Sequence, residues 1–277
     1  MMRPFVKMNG LGNDFVVVET GSQPFAPSLE EVCAIADRDT GVGCDQLISI
    51  EPSSRADAFV RFWNADGGEV GACGNGTRCA GWLVLQATGR ELVTLETAGG
   101  LLEVRRTASP QKVTVDMGPP GLGWSDIPLA QAMETAEVAL DAEQGWGSPG
   151  CVSMGNPHVV FFVPDVETAP VTQIGPMIEH HPLFPERVNV GFAQITARDR
   201  IRLKVWERGA GLTRACGTGA CAALVAAHRR GLVDSAATIE MDGGLLRIRW
   251  RPDGHVMMTG PVAVEFIGRL PFVERPQ

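Results

Sequence analysis

The sequence predicts an α+β protein of two pseudo-twofold-related domains, each a largely antiparallel curved sheet or barrel wrapped around a central helix, with an active cleft between them. A duplication is the first observation behind this. The halves of the 277-residue chain match at a fixed offset of 143 residues: Gly12-Asn13 with Gly155-Asn156, Val16-Val17 with Val159-Val160, Trp63 with Trp206 and Cys73 with Cys216. At the same offset Gln46 corresponds to Asn189 and Asn64 to Glu207. Internal repeats of this kind take precedence over any single motif. The second observation is order, since each half runs through short β-rich segments into a helix-like segment after its cysteine and then into further strands. The third is the run 217 to 230, nearly all Ala, Leu and Val until its basic end. A helix apolar on most faces must be surrounded, and strands are the elements available to wrap it.

In the first half, β-rich runs at 3 to 8, 14 to 19, 46 to 50 and 58 to 65 alternate with turn signals. Ser28 followed by Glu31 is a capping box that opens a helix over SLEEVCAIADR, ended by Gly41 to Gly43. A helix at about 74 to 88 precedes strands at 91 to 97, 101 to 106 and 112 to 117. Residues 118 to 150, rich in Gly, Pro and acidic side chains, read as a crossover and the opening of the second domain. The expected domains are therefore 1–117 with 263–277, and 118–262. The second half repeats the order. VVFFV, NVGFAQ and IRLKVW read as strands, CGTGACAALVAAHRRG as a helix, and TIEM, LLRIRW and VMMTG as strands. GGLLEVRR at 99–106 recurs as GGLLRIRW at 243–250, one residue out of phase with the main offset.

A length of 277 residues fits two domains at about 150 residues each. With 44% hydrophobic and 20% charged residues the chain can bury a sizeable core. Its formal charge of −8 argues against nucleic-acid and anionic-membrane partners, which reward dense Lys and Arg. No apolar run reaches the roughly 18 residues of a membrane helix. The N-terminus goes straight into strand-like sequence, so no signal or transit peptide is expected and the protein is expected to be cytoplasmic. Its seven cysteines are expected to be reduced.

Cys73 and Cys216 lie in ACGNG and ACGTG, each before a Gly-x-Gly at a helix start. The first backbone N–H groups of a helix lack intrahelical partners and the dipole is positive there. A thiol at that place is expected to have a depressed pKa, and a substrate carboxylate can dock on the free N–H groups. Cys33, Cys44 and Cys151 read as small buried hydrophobes, and Cys79 and Cys221 as core residues pointing away from their helix starts. A zinc site of Cys73, Cys79, Cys216 and Cys221 is disfavoured by its spacing, so no metal is expected.

MNGLGNDFVVVE, GVGCDQL, FWNADGGEVGACGNGTRC, MGNPHVVFF, ERVNVGF and WERGAGLTRACGTGACAA together resemble the diaminopimelate epimerase family over nearly the whole chain. Six motifs in one order are more specific than CGNG alone, which also occurs in related cofactor-independent racemases. The resemblance implies an isomerase that interconverts LL-2,6-diaminopimelate and its meso form without pyridoxal phosphate or any other cofactor, on the lysine and peptidoglycan pathways. It implies Cys73 and Cys216 as the two acid/base residues, one a thiolate and one a thiol, with Cys73 deprotonating the LL isomer.

The same resemblance implies His158 and Glu207 as auxiliary catalytic residues, imidazole being a group that titrates near neutrality. Implied substrate contacts are Asn13, Gln46, Asn64, Gly74, Asn75, Asn156, Asn189, Glu207, Arg208, Gly217 and Thr218. Their chemistry suits a ligand with an amino acid group at each end: Arg208 can grip a carboxylate bidentately, and Asn64, Asn189 and Glu207 can accept from ammonium. Any single Asn beside Gly is more often turn chemistry, and Asn9 is read that way. His180, His181, His228 and His255 read as surface or structural residues. Two departures stand out. Leu212 and Arg214 replace residues that the family commonly has as Glu and as an uncharged side chain, and VEFIGRL replaces a Tyr-containing segment that supports a homodimer in some relatives.

Overall fold

The computed structural model describes residues 2–21, 25–71, 73–140 and 145–271. The chain divides into two compact units, Met1–Val115 with Gly260–Gln277, and Asp116–Thr259. The first begins with β1 (Met2–Gly10), β2 (Asn13–Glu19), α1 (Leu29–Ala36), β3 (Gln46–Glu51), β4 (Ala58–Asn64), β5 (Glu69–Val70), α2 (Gly74–Thr88), β6 (Leu92–Thr97), β7 (Gly100–Arg106) and β8 (Lys112–Asp116). The second holds β9 (Gly150–Ser153), β10 (Pro157–Phe162), α3 (Val171–Glu179), β11 (Asn189–Ala197), β12 (Arg200–Glu207), β13 (Gly211–Thr213), α4 (Gly217–Arg229), β14 (Ala236–Met241), β15 (Gly244–Trp250) and β16 (Val256–Pro261). The chain then returns to the first unit as β17 (Ala263–Pro271). No helix among the described residues is long and apolar enough to cross a membrane.

In the first unit the strands neighbour one another in the order β17, β1, β2, β3, β4, β6, β7, β8. In the second the order is β9, β10, β11, β12, β14, β15, β16. Each sheet is antiparallel except at two places. The parallel pairs are β2 with β3 and β4 with β6 in the first unit, and β10 with β11 and β12 with β14 in the second. Parallel neighbours need a crossover connection, and α1, α2, α3 and α4 are those four crossovers. The α+β class expected from the repeat is the class observed.

The helices take two positions. α2 is enclosed by β1, β2, β3, β4, β6 and β7, and α4 by β9, β10, β11, β12, β14 and β15. Small residues make this approach possible: a Cβ on Gly81 would lie 2.6 Å from Val104 Cγ2, and α4 is buried without a break from Gly219 to Ala227. α1 and α3 cover the other face of their sheets. Val32 and Ala36 of α1 pack with Val16, Val18, Leu47 and Trp63, while Ile174 and Ile178 of α3 pack with Val159, Phe161, Val190 and Phe192. Alternation along each strand sends successive side chains to these two layers. The segment read as a crossover adds Ile127, Leu129, Val138 and Leu140 to the core of the second unit.

Pairing registers repeat with the sequence. Phe15 pairs with Gln46 as His158 pairs with Asn189, and Leu47 pairs with Trp63 as Val190 pairs with Trp206, all at the offset of 143. Ala58 pairs with Leu95, whereas Ile201 pairs with Ile239, one residue further on. The phase slip seen between the GGLL segments thus arises between the cysteine-bearing helix and the strand that follows it.

Two expectations need correction. α1 ends at Ala36 rather than running to Gly41, because the Asp37 carboxylate accepts from the N–H groups of Asp39 and Thr40 and from the Thr40 hydroxyl, building a competing turn. α3 was not expected at all. It contains Pro176 and has no side-chain N-cap, so local signals are weak, yet the offset from α1 points straight to it.

Candidate active site

Cys73 is the N-cap of α2 and Cys216 the N-cap of α4, both in extended backbone conformation (φ −142° and −125°). Each sulfur accepts from the N–H three residues on, Gly76 or Gly219, at 3.4 Å. Space rather than backbone conformation favours glycine at that third position. A Cβ on Gly76 would lie 2.9 Å from the Phe62 ring, and one on Gly219 would lie 3.2 Å from the Cys216 sulfur and 3.0 Å from Val205. Gly74, Asn75, Gly217 and Thr218 form the first turns behind the thiols.

In the second unit Cys216, Thr218, Asn156 and His158 form one chain of contacts, with Glu207 held beside it. The Glu207 carboxylate, at the end of β12, accepts from the Thr213 hydroxyl, and its charge acts on the Cys216 thiol. Thr213 stands diagonally across the β12–β13 hairpin from Glu207, where Val205 pairs with Thr213 and Glu207 with Gly211. On its other side the Cys216 sulfur lies 3.6 Å from Thr218 Oγ1, which accepts from Asn156 Nδ2 at 3.4 Å. Asn156 Oδ1 in turn lies 3.0 Å from His158 Nε2.

These surroundings reverse the expected thiol acidity at Cys216. Burial pushes its pKa well above the ordinary thiol value and the Glu207 carboxylate adds to the rise, outweighing the donors Thr218 and Gly219 that act the other way. A helix N-terminus depresses a thiol only where desolvation does not win. Burial also raises the Glu207 carboxyl, against the hydrogen bond from Thr213. Core thiols behave similarly: burial takes Cys44 to about 11 and Cys79 and Cys151 to about 12.

His158 is 1% exposed, and burial, with the Arg208 charge as the smaller cause, lowers its pKa to about 3. It is therefore neutral near pH 7 and its Nε2–H orients Asn156, a different part from the near-neutral titration expected from an ordinary imidazole. The sign of the linkage follows. The unfolded chain takes up a proton near 6.5 and the folded protein near 3, so the unfolded state holds the extra proton in between and stability falls as pH falls through that window. We expect an acid limb of about 1.4 kcal/mol per pH unit from this residue. His158→Phe, which installs the residue found at the equivalent place as Phe15, should flatten that limb in urea melts between pH 6 and 4. An unchanged slope would show that His158 does not titrate this way.

Asn189 is 3% exposed and its carboxamide is bound to backbone on both sides, Nδ2 donating to the Pro157 carbonyl and Oδ1 accepting from the Arg208 N–H, each at 2.9 Å. Arg208 is exposed, and its Nη1 donates to the Glu186 carbonyl. The Leu212 and Arg214 side chains are also exposed.

In the first unit Gln46 Nε2 donates to Asn64 Oδ1 at 2.8 Å across the β3–β4 pair. Gln46 Oε1 is buried with no hydrogen-bond partner, so a donor from a ligand would complete it. Asn13 Nδ2 donates to Asp45, which belongs to a charge cluster with Asp14, Arg38 and Lys7 that pins the start of β2. Asn75 accepts from Arg78 Nη1 at 2.9 Å. Asn9 accepts from the Gly12 N–H in the turn between β1 and β2, as turn chemistry predicts.

Thr213, Arg78, Glu179, Asp45 and Asp14 were not read from the sequence as parts of the site. Their offset partners are Val70, Cys221, Ala36, Val188 and Pro157, so the duplication that marks the cysteines gives no signal for them.

Comparison with known proteins matches the family model described as diaminopimelate epimerase at residues 5–122 and 150–265, two blocks separated by the crossover segment. A diaminopimelate epimerase of Phenylobacterium zucineum (strain HLK1) is 64% identical over 276 residues, covering 98% of this chain and 99% of the relative. One from Caulobacter sp. (strain K31) is 58% identical, covering 98% of each. Among solved structures, a hydroxyproline epimerase from Agrobacterium vitis with bound trans-4-OH-L-proline has a TM-score of 0.67 at 18% identity, covering 97% of this chain and 92% of that one. A probable proline racemase from Agrobacterium radiobacter K84 has a TM-score of 0.69 at 19% identity, covering 99% and 94%. These structural likenesses concern the fold.

Proposed function

The chain belongs to the diaminopimelate epimerase family, and we infer that it interconverts LL- and meso-2,6-diaminopimelate by a two-thiol mechanism without a cofactor. The observation that carries this reading is the duplicated placement of Cys73 and Cys216 as helix N-caps. Burial, with the Glu207 charge adding to it, keeps the Cys216 sulfur protonated and suits it to give a proton. Cys73 is then the base toward the LL isomer. Its thiolate takes the α-hydrogen as a proton, the electron pair stays on the substrate as enolate charge at the α-carboxylate, and the Cys216 thiol delivers its proton to the opposite face. Cys73 ends as thiol and Cys216 as thiolate, and the reverse reaction exchanges their roles. This requires both sulfurs to reach one α-carbon in the substrate-bound enzyme, which is the purpose of two related domains, 1–117 with 263–277 and 118–262.

The N–H groups of both helix starts would hold the α-carboxylate, through Gly74-Asn75 and Gly217-Thr218, and stabilise charge as it develops. Asn13, Gln46, Asn64, Asn156, Asn189, Glu207 and Arg208 would recognise the remaining polar groups, with Arg208 on the distal carboxylate. His158, fixed neutral, would act through Asn156 and Thr218 on the geometry at Cys216. The enzyme would serve lysine and peptidoglycan precursor synthesis in the cytoplasm, as a homodimer.

Incubating the protein with LL-diaminopimelate in deuterated water, with no added cofactor, should give meso product carrying deuterium at the inverted carbon, read by NMR. Turnover of proline or hydroxyproline in place of diaminopimelate would move the reading to the racemases that share the fold.

A further inference from the structure

The carboxylate of Glu179 stands where a carboxylate is costly. It is the last residue of α3, at the negative end of the helix dipole, and it is 3% exposed. What it touches is the strand and turn that carry Glu207 and Arg208. Oε2 accepts from the Trp206 indole N–H at 2.7 Å, Oε1 accepts from the Gly209 N–H at 3.0 Å, and Arg187 Nη1 lies 3.9 Å from Oε1. The approach is shaped for this contact, because a Cβ on Gly175 would lie 2.5 Å from the Trp206 ring. Asn189 holds the Arg208 N–H and Glu179 holds the next N–H along, so two successive amides of the turn are fixed by buried side chains from two other elements.

The equivalent turn in the first unit lacks these parts. At the offset of 143, Glu179 corresponds to Ala36, Gly175 to Val32, Gly209 to Asp66 and Arg208 to Ala65, while Trp206 keeps its counterpart Trp63. The clamp and the cation it carries therefore differ together from the duplicate.

We propose that Glu179 is a positioning residue for recognition of the substrate's distal end: it fixes the 208–209 turn and so the direction of the Arg208 guanidinium. This rests on the reading that Arg208 binds the distal carboxylate. Glu207 is held separately, by the β12–β13 pairing and by Thr213, so loss of the clamp frees Arg208 more than it disturbs the thiol chemistry.

The test begins with wild-type turnover of LL-diaminopimelate, whose absence would count against the functional reading instead. In Glu179→Gln a carboxamide offers one acceptor to two donors, and we expect KM to rise about tenfold or more with kcat within about threefold. In the Trp206→Phe/Glu179→Gln double variant the remaining acceptor can serve Gly209 alone, and KM should return to within about threefold of the Trp206→Phe value. That pair also keeps the test open if Glu179→Gln alone does not fold. Adding Glu179→Gln to Arg208→Met should raise KM by less than about twofold further, because the two residues act as one unit. An unchanged KM in folded Glu179→Gln, no recovery in the Trp206→Phe pair, or losses that multiply with Arg208→Met would each overturn the proposal and leave Glu179 as support for the fold alone.

Discussion

Cys216→Ser is expected to lower kcat for epimerisation by at least about a thousandfold while leaving the fold intact, and Cys73→Ser to do the same. Serine separates the two tasks of these residues. As an N-cap it replaces a weak sulfur acceptor by a better oxygen, so the first turns of α4 and α2 keep a partner for the Gly219 and Gly76 N–H groups. As an acid or base it fails, because a hydroxyl does not ionise near neutrality. An unfolding midpoint equal to or above that of the wild type, together with lost turnover, is the expected pattern. Cys216→Ala should lose activity as well and also cost about 1 kcal/mol of stability, since the cap is removed. Full activity in either serine variant would exclude the two-thiol chemistry.

The asymmetry between the two thiols is where the sequence is least informative. Repetition makes Cys73 and Cys216 look interchangeable, and a helix start alone argues for acidity at both. What distinguishes Cys216 is burial together with Glu207, whose offset partner is Asn64, and the outcome depends on desolvation that no motif spells out. Charged residues are assigned to the surface by default, so Glu179, Asp14 and Arg78 carried no signal until their partners were known. The framework was far more legible. Matched residues at one offset carry over into matched strand registers, even to the one-residue slip before β14, because register is set by which face of each strand is buried. α3 fell between these cases: propensity argued against it, whereas the offset from α1 located it.

Arg78→Ala is expected to have the largest effect on stability of any substitution away from the thiols, about 3–5 kcal/mol, read as a lowered urea midpoint with unchanged slope. Arg78 is 0% exposed, the largest side chain among the described residues with so little contact with solvent, and it sits early in α2 where the helix dipole disfavours a cation. Its place is held by hydrogen bonds instead. Nη1 donates to Asn75 Oδ1 at 2.9 Å and Nε to the Pro261 carbonyl at 3.5 Å, so one guanidinium joins the first turn of the helix to the strand segment that closes the unit. Gly10 leaves room for it, since a Cβ there would lie 3.3 Å from Nη2. On the surrounding strands Asp14 pairs with Lys7 and Arg38, Glu51 with Arg61 and Glu96 with Arg55, and Arg106 donates to the Leu85 carbonyl toward the far end of α2. Alanine removes the donor to the buried Asn75 carboxamide and to the Pro261 carbonyl and leaves a cavity beside them. Arg78→Lys keeps the charge on a single point donor and cannot serve both acceptors, so a loss of about 1–2 kcal/mol is expected. Because Asn75 lies two residues from Cys73, both variants should also raise KM for diaminopimelate. A lysine variant as stable as the wild type would show that charge alone, and not the forked geometry, holds this helix in place.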